Sequence, residues 1–207
     1  MKIEKERKKM KSVFIVVILL ASSQMAFADI TENYGWEGTE TIFGMYPVDG
    51  LTATIATDPV HTGSQSLRLE RLSSSTPQGY VAWIVGLQDG DEVTGSFWRF
   101  DDTPLAPPSC RIWAHWNDDP GDVTGHNGSA SGNDDYGPGT GWDEVSWTWT
   151  VSGGHTGLVV EARIYSNPGD IVWVDDMTIV APDHATIHTP GNMALESGTW
   201  ADIKAAF

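Results

Sequence analysis

Two short segments place side chains that could recognise a polar ligand at every second residue. In the run 110–116 (CRIWAHW), Arg111, Trp113 and His115 alternate with Cys110, Ile112, Ala114 and Trp116. In the run 158–165 (LVVEARIY), Glu161, Arg163 and Tyr165 alternate with Leu158, Val160, Ala162 and Ile164. Successive side chains of a strand point to opposite faces, so each segment predicts a strand with a core side and a polar side that carries an aromatic ring. If the two strands share a sheet, the six polar-side residues form one surface. A sugar suits such a surface: its apolar C–H face stacks on an aromatic ring while planar polar side chains bond its hydroxyls. The same six residues also fit a plain outward face with Glu161–Arg163 or cross-strand ion pairs, which contribute little.

The acidic residues suggest a second chemistry. Asp175 and Asp176 are adjacent within an extended run, so one of them faces inward or toward a sheet edge. A buried carboxylate costs several kcal/mol unless it is paired or bound to a metal, and few basic residues are available to pair it. The alternatives are a bound cation, or a strand end where solvent and backbone N–H groups serve both acids. Asp118, Asp119, Asp122, Asp134 and Asp135 offer a second cluster, but they match neither the twelve-residue helical calcium loop nor a glycine-aspartate repeat. A solvated acidic loop accounts for them more simply. The six histidines show no metal-ligand spacing on a helix, and the lone Cys110 excludes an internal disulfide or thiolate cluster. No Gly-x-Ser-x-Gly elbow, His-Glu-x-x-His, phosphate loop or dinucleotide fingerprint is present.

The elements that must hold these groups are strands. Apolar residues recur with period two through 51–57, 66–72, 80–87, 93–100, 110–116, 145–151, 158–165 and 171–180, with turn-forming clusters between them. Short strands near 30–36 and 41–46 bring the number to about nine or ten. The expected fold class is all-β: a two-sheet antiparallel β-sandwich of jelly-roll type, with Trp83, Trp98, Trp147, Trp149 and Trp173 read as core. Trp142 either caps the exit of the preceding loop or stacks on a ligand. Residues 117–141 form a long Gly/Asp/Asn/Ser loop, of a length that is usually functional or mobile.

The ends have other roles. Residues 1–28 read as a signal peptide: a basic start, a short apolar run over 13–21 and Ala26-Phe27-Ala28 before a cut. The run is shorter than the ~20 residues that span a bilayer, so no membrane insertion is expected once it is removed. The β-sandwich domain is expected over 29–183. Residues 184–207 form a C-terminal tail in which Trp200, Ile203 and Phe207 share one face of a short helix, either docked on the sandwich or free for an envelope partner. Without the signal, six basic residues remain against 26 acidic ones, a net charge of −20. Such a surface repels phosphate backbones and anionic lipid, which excludes nucleic acid as a partner. It also fits adaptation to high salt.

Four motifs, in order, resemble the jelly-roll carbohydrate-binding modules with a galactose-binding-like fold. They are Gly35-Trp-Glu-Gly38, the run 60–69 (VHTGSQSLRL), the run 85–98 (VGLQDGDEVTGSFW) and the closing strand 171–179 (IVWVDDMTI). The resemblance covers about residues 30–181. It implies a structural calcium (Ca2+) that ties the first strand to the last, at positions matching Glu37, Asp175 and the turn containing Thr62, Gly63 and Ser66. It also implies a concave face that holds a glycan chain. The expected protein is therefore a secreted, non-catalytic carbohydrate-binding β-sandwich, extracellular or on the cell surface. The alternative is a structural or adhesive subunit that forms homo-oligomers through exposed strand edges or its tail.

Overall fold

The structure, a computed structural model, describes residues 28–101, 110–137, 140–165 and 167–193. The described chain is β1 (Asp29–Tyr34), β2 (Met45–Tyr46), β3 (Leu51–Ala56), β4 (Ser66–Arg71), β5 (Gln78–Val85), β6 (Glu92–Asp101), β7 (Cys110–Trp116), β8 (Ser129–Gly132), β9 (Gly141–Thr150), β10 (Gly157–Ile164), β11 (Ile171–Pro182) and β12 (Thr186–His188). One sheet has the order β3-β4-β11-β6-β9, with β1 also on β11; the other has the order β12-β5-β10-β7-β8, with β2 also on β5. All pairings are antiparallel. This is the expected two-sheet jelly-roll sandwich. Among the described residues, no helix is long and apolar enough to cross a membrane.

Alternation builds the core. Val93 and Phe97 of β6, Ile112 and Ala114 of β7, Leu158, Val160, Ala162 and Ile164 of β10, and Val172, Val174 and Ile179 of β11 meet between the sheets. Their β-branched and aromatic side chains fit a pleated surface covered on one side, and their alternates point out. Gly95 sits among them because a Cβ there would come within 3.1–3.4 Å of Trp149, Ile179 and Ile112.

Several details differ from the sequence reading. The loop after β7 contains a strand, β8, which pairs with β7. The sandwich also runs past residue 183: β12 pairs with β5, and residues 190–193 form one helical turn. Trp200, Ile203 and Phe207 lie outside the described residues, as does the segment 1–27. Of the tryptophans read as core, Trp149 is buried there. Trp147 is 39% exposed; among the described strands β9 is an edge, paired on one side only. Trp98 and Trp173 lie on the outer face, against His61 and Phe100 respectively, at ring-centroid distances of 3.9 and 5.7 Å.

Candidate functional site

β7 and β10 are neighbours, with Glu161 opposite Trp113, Arg163 opposite Arg111, and Val159 opposite His115. Arg111, Trp113, His115, Glu161 and Arg163 therefore share the outer face of the second sheet, and Tyr165 follows at the end of β10. Beside them is a cavity of about 510 Å³ lined by Tyr46, Gln78, Tyr80, Thr124, His126 and Arg163. Only Arg163 of these six was singled out from the sequence.

Its floor is a buried polar network. The Glu161 side chain is fully buried and His115 nearly so, with Nδ1 of His115 2.6 Å from Oε1 of Glu161. Nε and Nη2 of Arg163 donate to Oε2 of Glu161, both at 3.0 Å. Gln78, turned with its amide nitrogen toward Glu161, donates at 3.1 Å and accepts from Arg163 at 3.2 Å. One carboxylate thus fixes three polar side chains under the cavity. The other ring nitrogen of His115 faces the Gly125 carbonyl at 3.1 Å, which ties the 117–128 loop to the sheet. Both ring nitrogens of His115 thus face oxygen atoms.

The aromatic residues are arranged differently from the simple platform expected. Trp113 has the Arg163 guanidinium 4.6 Å from its ring centre and donates its N–H to Ser129 Oγ. Tyr165 and Tyr136 flank the Arg111 guanidinium at 4.8 and 3.7 Å, and Arg111 also reaches Asp134. The open ring is on the other wall: Tyr46 is 60% exposed, while Tyr80, buried at 6%, lines the cavity. Burial first, and then the Glu161 charge, push the Tyr80 phenol up to about 12, so it stays a neutral donor. Beyond the cavity, Tyr80, Trp83 and Val159 form a small apolar cluster with Phe43, Val123 and Met193.

Glu37 and Asp175, matched to a calcium site, each bond to the 61–65 turn, at a seam in the first sheet. β4 pairs with β11 over Ile171–Val174, and β1 pairs with the same edge over Met177–Pro182. Asp175 and Asp176 lie between them at a bulge, Asp176 with φ of 45°. Oδ2 of fully buried Asp175 accepts from the backbone N–H groups of His61 (2.9 Å) and Thr62 (3.3 Å), and Oδ1 accepts from the Asp176 N–H. Burial pushes the Asp175 carboxyl up, and those donors pull against it. Glu37 accepts from Ser64 Oγ (2.6 Å) and from the N–H groups of Ser64 and Gln65; the Ser64 bonds hold its carboxyl below the usual range. Asp176 takes His61 Nδ1 and Thr62 Oγ1, each at 2.7 Å, and Ser66 Oγ donates to Pro59 O. A calcium ion needs oxygens turned toward it. What faces these carboxylates is N–H and O–H, so the residues do not fit the ion expected for them.

The loop acids are engaged locally. Asp119, Asp122 and Asp135 accept from N–H groups two residues on, while Asp118 binds His155 and Thr156 N. Among the described residues, no three His, Cys, Asp or Glu side chains converge as a metal-binding group.

No protein-family model matches the sequence, and no curated protein does. Solved structures do. The CBM22-1 xylan-binding domain of Xyn10C from Paenibacillus barcinonensis matches at TM-score 0.48 and 16% identity, over 76% of this chain and 97% of that one. The adhesin domain K1 of Lys-gingipain from Porphyromonas gingivalis W83 matches at 0.48 and 14%, over 72% and 97%. An arabinose-bound GH51 α-L-arabinofuranosidase matches at 0.50 and 12%, over 75% of this chain and 27% of that one. What they share is the jelly roll. At these identities the likeness is one of fold, and function rests on the side chains described above.

Proposed function

We propose that this chain is a secreted, non-catalytic protein that binds a poly- or oligosaccharide in the groove over β5, β10 and β7. The observation that carries the reading is the cavity itself. Arg163 and Gln78 are pinned by the buried Glu161 beneath Tyr46 and Tyr80, presenting preset donors and acceptors beside exposed ring surface. The volume of about 510 Å³ lies within the range of roughly 300–1,000 Å³ usual for small-ligand sites. Glycoside hydrolysis ordinarily needs two carboxyl groups flanking the bond, and among the described residues none of those lining the cavity is a carboxylate. Export through residues 1–28 places the protein outside the cytoplasm.

Affinity electrophoresis on polysaccharide gels tests the reading. Xylan, the ligand named for the Paenibacillus domain, is tried first. The protein is expected to be retarded by at least one polysaccharide, and Tyr46→Ala and Arg163→Gln to lose that retardation: Tyr46→Ala at a melting temperature within a few degrees of the parent, Arg163→Gln at a lower one, because it takes a partner from the buried Glu161 carboxylate. Retention unchanged in both variants, or no retention on any gel, would overturn it.

One observation favours a second reading, self-assembly. Among the described strands β9 is a ten-residue edge carrying exposed Trp147, and such an edge can template pairing with another copy. Light scattering across a concentration series separates the two readings, since this one requires oligomers that Trp147→Lys removes.

A further inference from the structure

We propose that the seam between β1, β4 and β11 is closed by hydrogen bonds and the His61–Asp176 pair, and that it takes no calcium ion. This is independent of the glycan reading. Asp175, Asp176 and Glu37 all bond to the 61–65 turn in a fold whose resemblance implies a cation, so the direction of the neighbouring dipoles decides the matter. A hard cation is held by lone pairs of carboxylate, carbonyl and water oxygens. Around Asp175 the chain presents the N–H groups of His61, Thr62 and Asp176; around Glu37 it presents the N–H groups of Ser64 and Gln65 and the Ser64 hydroxyl. Each of the four oxygens of these two carboxylates already accepts at least one bond. An ion brought to them would meet the positive ends of the peptide dipoles and displace charge-assisted bonds, which are about twice as strong as neutral ones.

Asp176 completes the closure. It is turned out of the strand at the bulge, its two oxygens taking the Thr62 hydroxyl and the His61 ring. The ring of His61 stacks on Trp98, 3.9 Å between centroids and 14° between planes. His61 therefore joins its turn to two strands: its main chain caps Asp175 and its imidazole pairs with Asp176 on β11, and its flat face lies on β6. The 59–65 turn is fastened to the last long strand by protein groups alone. Gly63 lets the turn approach, because a Cβ there would collide with Glu37 Oε1.

The test uses the protein beginning at residue 29, stripped with EDTA. Titration with calcium in a calorimeter should give no saturable heat. The Tm should be the same with EDTA and with millimolar calcium, whereas an ion at a hundredfold its Kd would raise it by about 5–11 °C. His61→Ala should lower the Tm by about 2–6 °C, equally with and without calcium. Asp175→Asn, which keeps the shape, should lower it equally in both conditions. A calcium-dependent rise in Tm that Asp175→Asn abolishes would overturn the proposal, as would an unchanged Tm in His61→Ala.

Discussion

Replacing Glu161 by alanine is the most severe single test of the groove. The side chain is fully buried, and three groups rely on it: His115 at 2.6 Å, Arg163 through two donors at 3.0 Å, and Gln78 at 3.1 Å. Removing one partner of a buried ion pair strands the other charge and typically costs about 3–5 kcal/mol. In a domain of this size each kcal/mol moves the Tm by roughly 2–4 °C, so Glu161→Ala is expected to lose roughly 6–20 °C. Glu161→Gln keeps the shape and an acceptor for His115 and should lose less. Calorimetric melting of the chain from residue 29 measures both. The losses have a functional counterpart: with Glu161 gone, Arg163 no longer has a fixed direction and the His115 link to Gly125 loosens, so glycan retention should disappear in the alanine variant even well below its Tm. A Glu161→Ala protein that melts within 2 °C of the parent would refute the view that this carboxylate organises the floor.

Two further outcomes follow from named groups. Gly63→Ala forces a side chain into a backbone with φ of +72° and against Glu37, so a loss of about 1–3 kcal/mol, or roughly 2–12 °C in Tm, is expected from melting curves. Burial first and neighbouring carboxylates second push Tyr34 and Tyr80 up to about 12, so both should ionise late in a phenolate absorbance titration, and Tyr80→Phe should remove one of the late steps. Because these folded values lie above the unfolded value near 10, the stability the two groups lend is intact below about pH 10 and is lost as pH rises toward 12.

The strands bearing the site were legible because alternation is a local property. Arg111, Trp113 and His115 had to oppose Ile112 and Ala114, and Glu161 and Arg163 had to oppose Val160 and Ala162; the sheet order then made them neighbours. The opposite wall was hidden. Tyr80 sits in an apolar run that reads as covered on both faces, and a bulge shifts the pairing there: Val160 opposes Ala82, while Glu161 opposes Tyr80. Gln78 and Tyr80 therefore face the cavity while Ala82 and Ile84 face the core, a change of parity that no strict period-two reading contains. Tyr46, Thr124 and His126 arrive from a two-residue strand and a loop, where spacing carries no directional information. Whether the seam takes calcium was hidden from the sequence for a different reason. Residue types marked the carboxylates correctly, but whether a neighbouring peptide turns its oxygen or its N–H toward them depends on backbone dihedrals that composition does not encode.

The pairing at the start of the chain has a consequence for how the groove would be displayed. Asp29 lies opposite Pro182, and Asp183 N–H donates to Ala28 O, so the chain enters the sandwich where β11 leaves it for β12. β12 then pairs with β5 at Val85, whereas the cavity gathers around Gln78, seven residues and about 23 Å farther along the same strand. Anything tethering the molecule ahead of residue 28 would hold it by one pole and leave the opposite pole, with its open mouth, pointing into the surroundings.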